Sequence, residues 1–141
     1  MTVLHRTEIG SILEYLEEQT NKEHQHELFL QYCNEVQSFR RFLVFYFTQV
    51  KGKFDNDQIG DVPYNMPDGY SPAFSSIERN MTRIEAIVAS KTPLSDRRAL
   101  KLSVFSGLSA NEILLMENVF DSKLEEYYDV DWKFIKSTLK V

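Results

Sequence analysis

A chain of 141 residues fits a single domain, and at that size it buries enough surface to fold without disulfide or metal staples. Its 43% hydrophobic content, with ten Phe and seven Tyr, excludes the composition of an intrinsically disordered chain. A net charge of −5 excludes a globally basic nucleic-acid binder, and the lone Cys33 excludes an internal disulfide and fits a reducing cytosol.

The opening MTVLHRTEIG lacks the apolar stretch of a secretory signal. The apolar run at 42–47 is too short to span a bilayer. A cytoplasmic protein without a membrane role is expected. Ile9, Ile12, Leu13 and Leu16 recur at helical spacing, with Thr7 placed to cap, and predict a first helix over about 8–18. A second helix is expected over 22–33, with Leu28, Tyr32 and Cys33 inward. A third, over 36–50, carries Phe39, Phe42, Leu43, Phe45, Tyr46 and Phe47 on more than one face, the mark of a central helix. FLVFYF also suits a strand, but no other segment offers a strand partner.

Residues 51–73, KGKFDNDQIGDVPYNMPDGYSPA, hold three prolines and three glycines and predict a long loop. Its own apolar residues, among them Val62, Tyr64 and Tyr70, predict that it docks on the helices. A fourth helix is expected over 74–90, with Ile77, Met81, Ile84 and Val88 as its stripe. A fifth is expected over 96–106, opened by Pro93 and Ser95, with Leu100, Val104 and Phe105 inward. Gly107 follows it, a common residue after a helix end. Ser109 and Glu112 have the spacing of a capping box and open a sixth helix over 110–120, expected to bury Ile113, Leu114, Met116 and Phe120. DSKLEEYYD is a polar connection with room for one short turn, and Asp131 caps a last helix from Trp132 to Leu139. The expected fold is all-α: a compact bundle of six to seven helices around one core containing Phe39, Leu43, Phe47, Ile84, Leu100, Val104 and Ile113.

The chemistry-bearing residues are sparse. His5, His24, His26 and Cys33 share the first quarter, but His24 and His26 are two apart and point to different sides of a helix. No set completes a tetrahedral metal site, so surface histidines are expected, with no metal and no cofactor. The chain has no glycine-rich phosphate loop, nucleophile elbow or CxxC pair. Cys33, on an apolar helix face, is expected to be buried and inert. The carboxylate pairs Glu17–Glu18 and Glu125–Glu126 are expected to be solvated faces. No small-molecule substrate and no catalysis follow from this inventory.

Charge is unevenly placed. Residues 74–111 hold six Lys/Arg against three acids, net +3, while the remainder carries net −8. Arg79 and Arg83 are four apart, as are Arg97 and Lys101, and Arg98 adjoins them. On two antiparallel helices these five could form one exposed basic strip for phosphate backbones. The bland alternative pairs them with Glu78, Glu85 or Asp96. A helix-turn-helix reading of the fifth and sixth helices fails, because ANEILLMENVF carries no Lys, Arg or Gln to read bases and two acids that would repel phosphate.

The series Val62-Pro63-Tyr64, Gly69-Tyr70-Ser71-Pro72, Leu94-Ser95, Arg97-Arg98, Gly107-Leu108, Glu112, Asp121, Lys123-Leu124 and Tyr128 resembles a family of small uncharacterised proteins encoded by large tailed phages, including those of cyanobacteria. The resemblance implies a phage origin and an accessory role in the host cytoplasm, and it carries over no site residues. RRALKLSVFSGLSANEILLMENVF is also similar to a stretch of the helical N-terminal DNA-binding domain of phage ATP-dependent DNA ligases, from which the acidic sixth helix departs. Two functions are therefore expected in order. The first is a non-catalytic protein-interaction module for a host or phage protein, with Tyr64 and Tyr70 as candidate contacts. The alternative is a sequence-nonspecific nucleic-acid-binding factor using Arg79, Arg83, Arg97, Arg98 and Lys101.

Overall fold

The computed structural model of the chain describes residues 8–64, 67 and 73–141; Thr7, His5 and Tyr70 lie outside them. The described residues form helices and the segments that connect them, without a strand. The helices are α1 (Ile9–Glu17), α2 (Lys22–Glu35), α3 (Gln37–Phe45), α4 (Asn56–Ile59), α5 (Met81–Val88), α6 (Leu94–Gly107), α7 (Ala110–Phe120), α8 (Leu124–Tyr127) and α9 (Trp132–Leu139). The fold is all-α.

α3 lies at the centre, as its apolar residues on several faces require. Phe39, Phe42, Leu43 and Phe45 are all fully buried. The third helix does not run regularly to residue 50. After Phe45 it widens into a π-helical turn, Tyr46–Val50, closed by the Lys51 N–H donating to the Tyr46 carbonyl at 2.9 Å. Both Tyr46 and Val50 face inward. The Tyr46 hydroxyl donates at 2.9 Å to Glu125 of α8, and the same carboxylate takes Lys51 in an ion pair.

Of the seven expected core positions, Phe39, Leu43, Ile84, Val104 and Ile113 are buried, whereas Phe47 and Leu100 are half-buried and pack against the core from its edge. In α7 the inward residue is Leu115, not Leu114. Ile113, Met116 and Phe120 set the inward direction, and the adjoining flank is covered by α1, where Leu115 packs beside Gly10. Leu114 falls on the far side and is exposed.

The loop expected over 51–73 contains a helix. Asp55 accepts from the Asp57 N–H at 3.0 Å and starts α4, and Gly60, at φ 73°, turns the chain out of it. Ile59 and Val62 are buried, so this part of the loop docks as its composition predicts. The fourth helix starts later than expected: a 3-10 turn at Glu78–Asn80 leads into α5, and residues 73–77 precede it without helical structure.

Two element starts are held by carboxylates distant in sequence, and a third is capped locally by a residue that is itself anchored at long range. The Ile9 N–H at the start of α1 donates to Glu78 at 2.9 Å, and the Ile77 N–H donates to Glu112 at 3.0 Å. Asp131 caps α9 by accepting from the Phe134 N–H at 3.2 Å, and its own N–H donates to the buried Gln25 at 3.0 Å. His26 is not a plain surface histidine. It bonds Asp131 at 2.8 Å and stacks on Phe134, tying α2 to α9. Among the described residues no helix is long and apolar enough to cross a membrane.

Candidate functional site

The basic segment is the first candidate, and it does not form one exposed strip. An α-helix leaves its last four carbonyls without partners, and cations near that end also meet a favourable dipole. The cations of α6 serve such carbonyls. Arg97 is buried, and its Nε donates to the Ile87 carbonyl at 2.6 Å, at the end of α5; its guanidinium also lies over the Phe54 ring. Arg98 donates to the carbonyls of Ile59 and Asp61, at and beyond the end of α4. Lys101 is only 4% exposed and donates to the Gly60 carbonyl at 3.0 Å and to Asn56 at 3.2 Å. Burial pushes its ammonium below the ordinary lysine range, against the pull of Asp61, Asp121 and Glu117.

On α5, Arg83 reaches Asn80 at 3.2 Å and Ser103 at 2.5 Å. Arg79 is exposed, and its guanidinium makes no ion pair among the described residues. The expected rival partners are also not the ones used. Glu85 pairs with Arg41, and Glu78 caps α1. Charge spacing alone could not separate these outcomes, because the carbonyls served belong to elements from 10 to 41 residues away.

Tyr64 is likewise committed inside the protein. Its ring meets Phe105 edge to face at 5.2 Å, and its hydroxyl donates to Glu117. Burial, then the Glu117 carboxylate, pushes the phenol up to about 12. Tyr70, the other candidate contact, lies outside the described residues. Cys33 is buried, and desolvation raises its thiol to about 11, which removes thiolate character at neutral pH. Among the described residues no cluster of three His, Cys, Asp or Glu side chains is placed to hold a metal.

A second surface was not legible in the sequence. An open groove of about 850 Å³ runs between the start of α1, the α2–α3 corner, residues 73–79 and the start of α7. Phe74 stands on it at 89% exposure. The backbone beneath is tied down. The Ser75 N–H donates to the Gly107 carbonyl at 2.9 Å, and the buried Asn80 amide donates to the Ser75 hydroxyl and the Ser76 carbonyl, both at 2.7 Å. A large aromatic ring is thus presented from a fixed support.

The groove is acidic. Among the described residues, Glu8, Glu35, Glu78 and Glu112 line it against the single cation Arg79. Glu8 and Glu112 also border an adjoining cleft of about 100 Å³ with Glu14 and Tyr127. None of these five carboxylates is in an ion pair among the described residues. Burial raises the Glu112 carboxyl, and the neighbouring Glu78 charge adds to the rise, while the N–H groups of Ile77 and Ser109 oppose it.

Phe74 gave no warning of this in the sequence. It is in phase with Ile77, Met81, Ile84 and Val88, so periodicity turns it inward; only the late start of the helix frees it. In comparisons with known proteins, no family model, no curated protein and no solved structure matches the chain.

Proposed function

We propose that this protein is a non-catalytic protein-interaction module, an accessory factor of a tailed phage that works in the host cytoplasm by binding a host or phage protein. The observation that carries the reading is Phe74, a fully presented aromatic side chain on a tied backbone beside an open groove. Large exposed aromatics are enriched at interface centres and depleted on ordinary surface, and a fixed support lowers the ordering cost of binding. The phage assignment rests on the resemblance carried by Val62-Pro63-Tyr64 and the residues after it.

The nucleic-acid reading has less support, since Arg97, Arg98 and Lys101 are engaged by backbone carbonyls, Arg83 is bonded to Asn80 and Ser103, and Arg79 lines an acidic groove. The test compares two measurements on the full chain. Capture from infected cells with the wild type and with Phe74→Ser should return a protein retained only by the wild type. A DNA mobility-shift series at about 50 mM salt should show no shift. A salt-dependent shift lost on Arg79→Ala/Arg83→Ala, with capture unaffected by Phe74→Ser, would reverse the order of the two readings.

A further inference from the structure

Resting on the protein-interaction reading, we infer that the groove takes a cationic segment of its partner, with Lys or Arg side chains set against Glu8, Glu35 and Glu112 and an apolar or guanidinium group laid over Phe74. Charge complementarity selects this occupant. The groove and its adjoining cleft bring five carboxylates to one face, with Arg79 as the only cation among the described residues that line them.

Two of those carboxylates are placed by the fold. Glu78 must lie here to cap α1, and Glu112 to hold the Ile77 N–H. Their charges are therefore fixed in position and only partly compensated by backbone dipoles. Glu8 and Glu35 are exposed and do no such work; among the described residues the one hydrogen bond either side chain makes is a 3.4 Å contact from Ser11 to Glu8. An acidic or phosphate-bearing partner would add like charge to this face, whereas a cationic one relieves repulsion already present between Glu78 and Glu112.

Phe74 supplies the second element of recognition. An aromatic face takes aliphatic stems by burial and guanidinium or ammonium groups by cation–π attraction. A segment that alternates basic and aliphatic residues satisfies the ring and the carboxylates together. A nucleic acid can stack a base on the ring, but it sets phosphates against the carboxylates.

The probe is a fluorescein-labelled synthetic peptide of alternating Lys and Leu, titrated into the full chain, with a Glu/Leu peptide of equal length as control. Saturable, salt-sensitive binding of the Lys/Leu peptide alone is expected. Phe74→Ser should weaken it by about tenfold or more, and Glu8→Gln/Glu35→Gln several-fold with a flatter salt dependence. Glu23→Gln, a remote exposed position, should leave it unchanged. Amide chemical-shift changes on binding should map to residues 35–38, 73–79 and 109–112. Shifts spread over all acidic surfaces, or equal affinity for Phe74→Ser and wild type, would overturn the proposal. If the peptide fails while infected-cell capture still depends on Phe74, the cationic occupant is wrong and the interaction reading stands. If capture is also indifferent to Phe74→Ser, the interaction reading fails with it.

Discussion

The basic side of α6 and the acidic groove are both dense in charge, yet they spend it differently. On α6, Arg97, Arg98 and Lys101 all face carbonyls that close α5 and the α4 turn, so the cations are exhausted by the fold. In the groove, Glu78 and Glu112 do the mirror task of serving N–H groups at helix starts, but Glu8 and Glu35 are left over and an exposed ring stands among them. A charged side chain is structural or available according to whether an orphan backbone group lies within reach, and its charge does not reveal which. Here the more conspicuous cluster is the structural one.

The contrast breaks first if the α6 cations are dispensable. Arg97→Ala and Lys101→Ala should each cost about 2–4 kcal/mol, through unsatisfied buried carbonyls and lost packing on Phe54, Phe105 and Phe120, as read from urea unfolding. Lys101→Met, which keeps the stem, should recover part of the loss. Wild-type stability in both alanine variants would return these residues to the pool of candidate binding cations. Next in size, Tyr64→Ala should cost about 1–3 kcal/mol, because the ring packs on Phe105 and the hydroxyl serves Glu117. An unchanged melting temperature would put Tyr64 back among the contact candidates.

On the acidic side, Glu78→Ala should cost about 0.5–2 kcal/mol, the range of a lost helix cap. A null result would mean that Glu78, like Glu8, is free for a partner. The pH dependence sharpens the same point at Asp131. Its hydrogen bond with His26, aided by the Phe134 N–H and Lys22, holds its carboxyl below the usual range. The stability it adds is complete above the unfolded value of about 3.9 and is lost as pH falls through the lower folded value. Asp131→Asn should flatten the acid limb of a melting-temperature profile. Tyr64 works in the opposite sense: with its phenol raised to about 12, its contribution holds below about 10 and falls away as pH climbs between the two.

The smallest stability change belongs to the residue on which binding is expected to depend most. Phe74→Ser should leave stability within about 0.5 kcal/mol of wild type, since the ring buries almost nothing. A substantial destabilisation would make Phe74 a packing residue and remove the anchor from the groove.

Helical periodicity determined much by itself. It is sufficient for the all-α class, the central position of α3, the span of α9 with Asp131 as its cap, and the start of α7 at Ser109. These are local properties: an apolar stripe and a capping side chain act within a few residues of where they stand in the chain. Tertiary structure alone decided the rest. The π-helical turn after Phe45 and the late start of α5 depend on what the neighbouring helices offer to pack against. The fates of Arg97, Arg98, Lys101, Glu78 and Glu112 depend on backbone groups up to 69 residues away. Spacing tells which charges share a helix face; only the packed chain tells which of them meet an unsatisfied carbonyl or N–H, and so which are left for a partner.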